Sequence, residues 1–400
     1  MADDPENKPI IDFQDHDNPD GNIVEGYGCS HVTWDGIHIY NAGGKGRGAI
    51  EATIWNANED PTPIADWTFK NFDIYYSYNA AVKIRHCNNV LVENVNMIEC
   101  AQMNADRKNT NNHPHILLGS YADNVVVRNC KILRGHGEGV GPYIYSSDWI
   151  IENCEVADNY AINIYLDTQE GNCIVRNNLI YNTGYYVQGG QSSQVADGIR
   201  IANEISDYGG WGAYYDPSQN KVDNMKIYNN IIINCNGGIA AFPYAWNGTI
   251  GPSELHNSLI ANNTIVETTQ NKHGIRLTMP GSANRVFNNI VYNSGGIDAG
   301  SGYALQKNHL DDPLFLDGTG FLAENYRLLG GSPCINNGES INEITHDFWN
   351  NQRPSGGQYD IGAHEHAYGL VSLPNEKLST LSIFPNPLSG GHDHLSITTI

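Results

Sequence analysis

Charge is scarce in this chain: only 16% of its 400 residues are Asp, Glu, Lys or Arg, and 22 basic side chains face 44 acidic ones. A formal charge of −22 argues against a nucleic-acid surface, which needs a basic stripe. It also counts mildly against a polyanionic ligand, although a local basic groove can coexist with an acidic exterior. No apolar run reaches membrane-spanning length, and no segment sustains a helical period. The eight cysteines lack the spacing of a zinc site or a redox CxxC. Cys130 and Cys154 share a register and read as stacked core thiols, with a disulfide between them open. The amino terminus lacks the basic and apolar regions of a signal peptide, which for an exported protein implies a leader already removed.

What the chain does have is a repeat. Asp66-Trp-Thr-Phe-Lys-Asn71, Asn89-Val-Leu-Val-Glu-Asn94, Asn124-Val-Val-Val-Arg-Asn129, Asp148-Trp-Ile-Ile-Glu-Asn153, Asn172-Cys-Ile-Val-Arg-Asn177, Asn224-Met-Lys-Ile-Tyr-Asn229 and Asn257-Ser-Leu-Ile-Ala-Asn262 share one pattern, and a looser copy ends at Asn288. The closing asparagines lie 23, 35, 24, 24, 52, 33 and 26 residues apart. The basic period is therefore about 24 with three insertions, the length of one coil of a parallel β-solenoid.

A unit this short cannot bury an apolar face alone, so stacked coils must supply the core. Phe69, Val92, Val127, Ile151, Val175, Ile227, Ile260 and Val286 are expected to form one interior column. Ile74, Met97, Ile132, Val156, Ile180, Ile232, Ile265 and Val291 form a second. A third strand carries inward pairs at Val82/Ile84, Ile116/Leu118, Ile162/Ile164, Ile199/Ile201, Ile239/Ala241, Ile275/Leu277 and Ile297/Ala299, an alternation that identifies strands. The repeated asparagines read as turn residues that bond along the axis. The fold class is thus all-β, a parallel β-solenoid of about ten coils.

Four hundred residues divide into a polar lead at 1–28, coils at 29–310, a terminal module at 311–366, a linker at 367–379 and a last segment at 380–400. The module contains Asp312-Pro-Leu-Phe-Leu, Asn325-Tyr-Arg-Leu-Leu-Gly-Gly-Ser-Pro-Cys and Tyr359-Asp-Ile-Gly-Ala-His. It resembles the choice-of-anchor Q module of bacterial extracellular proteins, and it is expected to cap the open solenoid end, a row of unpaired strand edges. Leu381-Ser-Ile-Phe-Pro-Asn-Pro resembles the opening of the type IX secretion sorting domain of Bacteroidetes-type bacteria, within which the chain stops. That resemblance implies handling by the type IX machinery and a secreted or cell-surface location. A monomer is expected.

Residues between the inward pairs of the third strand must point outward. Counting from the first inward residue gives Lys83, Leu117, Gly141, Asn163, Arg200, Ala240 and Arg276, then Tyr143 and Tyr165, then Asp167, Glu204 and Tyr244. His115 and Glu138 lie just before the strand. On this count Asp167 neighbours Glu204, Tyr143 neighbours Tyr165 and Arg200 neighbours Asn163. The insertions hold Trp211, Tyr215 and Tyr244, whose rings suit sugars.

The coils resemble the right-handed parallel β-helix superfamily of pectate lyases, alginate lyases, uronate epimerases and glycoside hydrolases. Three functions follow for a polysaccharide ligand. A lyase needs a cation for the uronate carboxylate, a base for the C5 proton and an acid for the leaving oxygen. Arg200 with Lys83 or Arg276 could meet the first need, His115 or Tyr165 the second and Tyr143 the third, while Glu138, Asp167 and Glu204 could hold Ca²⁺. A glycoside hydrolase would use paired carboxylates among Glu138, Asp167 and Glu204, and Gly135-His-Gly is similar to a motif of polygalacturonase-like hydrolases. A non-catalytic binding or adhesion protein would simply present a long surface. Lys83, Asn163, Trp211, Tyr215, Tyr244 and Arg276 are the expected substrate-binding residues.

Overall fold

The computed structural model describes residues 8–54, 62–106, 114–143, 145–167, 171–184, 196–203, 221–242, 253–268 and 272–367. Its strands pair in parallel, in sheets of eighteen, ten and three strands.

Both interior columns of the repeat are in register. Phe69 pairs with Val92, Val92 with Val127, Val127 with Ile151, and the series runs through Val175, Ile227 and Ile260 to Val286. The second column runs likewise from Ile74 to Val291. All of these side chains are buried in one core, and burying each is worth about 1.5–3 kcal/mol. The motif's terminal residues take the left-handed conformation: φ is 57° at Asn89, 54° at Asn94, 56° at Asn124 and 55° at Asn129. A short polar side chain tolerates that region better than any other L-residue. Each motif is therefore turn, strand, turn, and the next strand leaves at a new angle. The result is a right-handed parallel β-helix, the hand that parallel crossovers almost always take.

Some turn asparagines do bond along the axis: Asn89 donates to Asp66 at 3.0 Å, Asn124 to Asn89 at 2.8 Å and Asn94 to Asn71 at 3.1 Å. A second ladder, not read from the motif, lies inside. Asn178, Asn230, Asn263 and Asn289 each follow a closing asparagine and are fully buried, or nearly so. The Nδ2 of Asn178 donates to Asn230 Oδ1 at 3.0 Å, Asn230 to Asn263 at 3.0 Å, Asn263 to Asn289 at 3.0 Å and Asn289 to Asn308 at 2.9 Å. Each also reaches a backbone carbonyl, for example Val175 or Ile227 at 2.9 Å. A buried amide satisfied on every side holds one register. Cys130 and Cys154 occupy this position in earlier coils, both as free thiols.

The third strands form the ten-stranded sheet, and here the strict alternation breaks locally. Ile116 and Leu117 both enter the core, so Leu117 pairs with Val82 and Val140 while Leu118 pairs with Lys83 and Gly141. Ile162 lies outside with Tyr165 and Ala202. The outward column is therefore Glu51, Lys83, Leu118, Gly141, Tyr165, Arg200, Ala240, Arg276 and Asp298. Leu117 and Asn163 do not belong to it.

Residues 311–367 lie against the outer flank of the eighteen-stranded sheet rather than closing the solenoid end. Ile341, Ile344 and Tyr359 pack on Tyr228, Leu259 and Ala261, and Tyr326 and Ala363 on Ile231, Ile233 and Val266. At the last coil, Leu305 and Leu310 remain about half exposed. The segment is pinned by the closing asparagines: Asn229 donates to His346 O at 2.7 Å, Asn262 to Asp360 O at 2.9 Å and Asn288 to Glu339 O at 2.8 Å. At its centre Arg353 and Glu365, both side chains fully buried, pair at 2.8 Å.

Candidate functional site

The outer face of the ten-stranded sheet carries a stripe of ionisable side chains held close to the backbone. Its middle is built on Gly141. A Cβ there would stand 2.3 Å from His115 Nδ1, so the missing side chain is what lets the imidazole lie flat on the sheet. His115 Nε2 then meets Glu138 Oε2 at 2.9 Å, with both side chains about 10% exposed. Its Nδ1 is buried and has no hydrogen-bond partner among the described residues. Tyr165 stacks along one side of the imidazole, with centroids 5.9 Å apart and planes at 17°. Tyr143 lies on another side at 5.8 Å.

One coil further, Tyr165 pairs in register with Arg200. The Nε and Nη2 of Arg200 both reach Asp197 Oδ2, at 2.8 and 2.7 Å. Burial alone would lower the Arg200 pKa. The charge of Asp197, with smaller contributions from Tyr165 and Glu138, outweighs it, and the group lies above its ordinary value. Arg200 is thus a fixed cation 14% exposed. The phenyl ring of Phe242 separates it from Arg276, with guanidinium carbons 5.0 and 5.1 Å from the ring centroid. Such contacts fix the guanidinium planes. Arg276 and His273 stand beside Asp298 at 3.7 and 3.9 Å.

At the other end of the stripe, Lys83 donates to Gly46 O. Burial pushes its ammonium below the ordinary range, with Glu51 opposing. Arg47 is shared between Glu25 and Glu51.

The structure brings His115, Glu138, Tyr143, Tyr165, Arg200 and Arg276 onto one face and places Lys83 on it, one coil from the strand of His115 and further from Arg200 and Arg276. It corrects three neighbour relations. Asn163 is not beside Arg200: it is fully buried and turned inward, accepting from Asn159 at 2.9 Å and donating to Tyr181 O at 3.1 Å. Tyr165 takes that place. Tyr143 therefore aligns with Asp167, whose N–H donates to Pro142 O at 3.1 Å. On the other side Leu166 pairs with Ile201, so Ala202 follows beside Asp167, which is 1% exposed. Glu204, Trp211, Tyr215 and Tyr244 lie outside the described residues, and so does any calcium site that needs Glu204. Among the described residues no group of three or more His, Cys, Asp or Glu side chains could hold a metal ion.

Gly135-His-Gly has a packing explanation. A Cβ at Gly135 would fall 1.8 Å from Ile116 Cδ1, and one at Gly137 would fall 1.9 Å from Pro114 O. Asp197 and Phe242 were not assigned a role from sequence. Asp197 is three residues from Arg200, which in regular alternation puts the two on opposite faces. Gly198 and Ile199 both face the core, a Cβ at Gly198 standing 2.7 Å from Ile232, so Asp197 and Arg200 come out on the same side.

A family model described as the right handed beta helix region matches residues 52–207. No curated protein matches the sequence. Among solved structures, the pectate lyase Pel9A is similar with a TM-score of 0.48 and 14% identity, over 90% of this chain and 86% of its own. PfbA, a surface adhesin of Streptococcus pneumoniae, gives 0.48 and 14% over 72% and 71%. The mannuronan C-5 epimerase AlgE4 A-module of Azotobacter vinelandii gives 0.38 and 12% over 72% and 84%. No helix among the described residues is long and apolar enough to cross a membrane.

Proposed function

We propose that this chain is an extracellular polysaccharide lyase that cleaves a uronate-containing polymer by β-elimination. The observation that supports it most is the cation Arg200, clamped by Asp197 and in register with Tyr165, which stacks on the His115–Glu138 pair. Arg200 neutralises the substrate carboxylate and so acidifies the C5 proton. Tyr165 takes that proton as phenolate. The C–H electron pair becomes the C4–C5 double bond, the C4–O bond breaks, and Tyr143 protonates the leaving oxygen.

His115 suits a positioning role better than that of base. Its Nε2 is bound to Glu138 and its Nδ1 lies over Gly141, so both ring nitrogens are directed away from a ligand on the stripe. The hydrolase alternative is less favoured, because Glu138, Asp197 and Asp298 each stand beside a cationic or imidazole side chain. A carboxylate already engaged by the side chain beside it is not free to flank a glycosidic bond as one of a pair.

The test is incubation with a panel of uronate and neutral polysaccharides while recording unsaturated-end absorbance and reducing sugar. A lyase gives both signals, a hydrolase reducing sugar alone, and a binding protein neither. Repeating the assay with a chelator tests a calcium requirement.

A further inference from the structure

We infer that Arg276 is a second carboxylate subsite on the same stripe, so that the ligand is a sugar chain whose carboxylates recur along its length rather than one with an isolated uronate. The inference rests on reading the stripe as the sugar-binding face. Arg200 pairs in register with Ala240, and Ala240 with Arg276. Their backbones are therefore two coil steps apart, about 10 Å along the axis. Phe242 holds the two guanidinium groups on its ring, which makes them a spaced pair.

The two cations differ in availability. Arg200 is bound to Asp197 through direct hydrogen bonds and is mostly buried. Arg276 is 48% exposed, and its Nε is 3.7 Å from Asp298 Oδ2, beyond hydrogen-bond length. An exposed pair of this kind is worth little, so exchanging Asp298 for a ligand carboxylate costs little. Asp298 has His273 beside it at 3.9 Å and is half exposed itself. It can turn to the imidazole or to water when Arg276 is engaged. A chain lying parallel to the axis with one carboxylate at Arg200 then places the next, within about 10 Å, at Arg276. Both a polyuronate and a polymer of strictly alternating uronate and uncharged sugar meet that condition.

Binding measured by titration calorimetry tests this, in a Tyr165→Phe background that stops turnover. The probes are a galacturonate tetramer, an alternating uronate–N-acetylhexosamine tetramer and a tetramer of uncharged sugars ending in one uronate. R276Q is expected to weaken the first two about tenfold, the size of one charge-assisted hydrogen bond, and to leave the third unchanged. D298N is expected to tighten the first two by removing the competing carboxylate. Loss with only one of the two charged tetramers identifies the substrate between them. Equal effects on all three probes, or none from either variant, overturn the subsite. If the charged tetramers bind and respond as stated but no unsaturated ends form in the wild type, the subsite stands and elimination falls. If none of the three binds, both fall.

Discussion

The two broad sheets of this solenoid have the same interior and opposite exteriors. On the eighteen-stranded sheet, the outward residues of the later coils are apolar, Tyr228, Ile231, Ile233, Leu259 and Val266 among them, and residues 311–367 cover them. On the ten-stranded sheet the outward residues of the middle coils include His115, Glu138, Tyr165, Asp197 and Arg200, low in exposure and in contact with one another. Both exteriors bury charge. Around Arg353 the charge is surrounded by backbone donors: Glu365 accepts from Ser355 N at 2.6 Å and Asp360 N at 3.0 Å, and Arg353 reaches Asp360 O and Gly362 O. Around Arg200 the partners are side chains on a face that a ligand can approach. The first arrangement stabilises a fixed contact, and the second keeps a cation oriented for something else. Activity and stability should therefore separate when each face is changed in turn.

Tyr165→Phe is the sharpest break. The ring that stacks on His115 is kept and only the hydroxyl is lost, so elimination should fall by about 10²–10⁴-fold while the melting temperature stays within about 2 °C of wild type. Steady-state kinetics by unsaturated-end absorbance, with calorimetric melting, reads both. Unchanged kcat would remove Tyr165 from the chemistry.

Glu365→Gln should do the reverse. Burial lowers the Arg353 pKa and raises that of Glu365, and the charge of each opposes the shift in the other. Removing one leaves a buried cation short of its counter-charge, at a cost of about 3–5 kcal/mol. Denaturant unfolding should show that loss, with kcat/KM at low temperature unaltered. If activity fell in step with stability, the two exteriors would not be independent.

Acid offers a milder version of the same contrast. His364 is buried and accepts the Leu328 N–H at Nδ1, 2.9 Å away, which requires the neutral ring. Burial, with Arg327, His366 and Arg353 nearby, lowers its pKa to about 3. The unfolded state therefore binds a proton first. Stability from this group is fully present above about pH 6.5 and is lost as the pH falls toward 3, reaching about 2 kcal/mol by pH 5. Trp349 sits edge-on to His364 at 5.2 Å, so its fluorescence should report the docking of residues 311–367. His364→Phe should flatten the dependence, and a transition of unchanged steepness in that variant would assign it elsewhere.

Much of the fold could be read from the chain because the repeat carries its own register. A residue such as Val127 is fixed by two neighbours of identical role, and an error at one coil would put a charge in the core. The third strand was less legible because its rule fails locally. Ile116-Leu117-Leu118 offers three apolar residues for two inward places, and nothing in the triplet says that the first two go in. Asn163 looked outward by counting and turned inward because Asn159 and the Tyr181 carbonyl bind it. The doubled asparagines at 177–178, 229–230, 262–263 and 288–289 were a visible sign of an inner ladder beside an outer turn. So was the run Ile231-Ile232-Ile233, in which alternation should leave two isoleucines outside unless something covers them. The pairing of Asp197 with Arg200 had no comparable sign, since it depends on Gly198 and Ile199 both facing the core, which only the packing reveals.

The smallest effect compares one register position in two coils. Asn153 and Asn262 both close a motif and both take positive φ, 53° and 52°, so replacing either by Ala adds a similar backbone strain of about 1–2 kcal/mol. Asn153 is exposed in an open cleft that it shares with Phe348. Asn262 is fully buried and donates to Asp360 O and Gly362 O at 2.9 and 3.3 Å. The difference between the two variants therefore isolates what the sealed face adds, since the turn strain cancels. Asn262→Ala should be the more destabilising by about 1–3 kcal/mol, the cost of leaving buried carbonyls without a donor, and urea midpoints at a common slope give that difference directly. Equal losses would mean that residues 311–367 are held by apolar contact alone, and the contrast between the two sheets would then reduce to hydrophobicity.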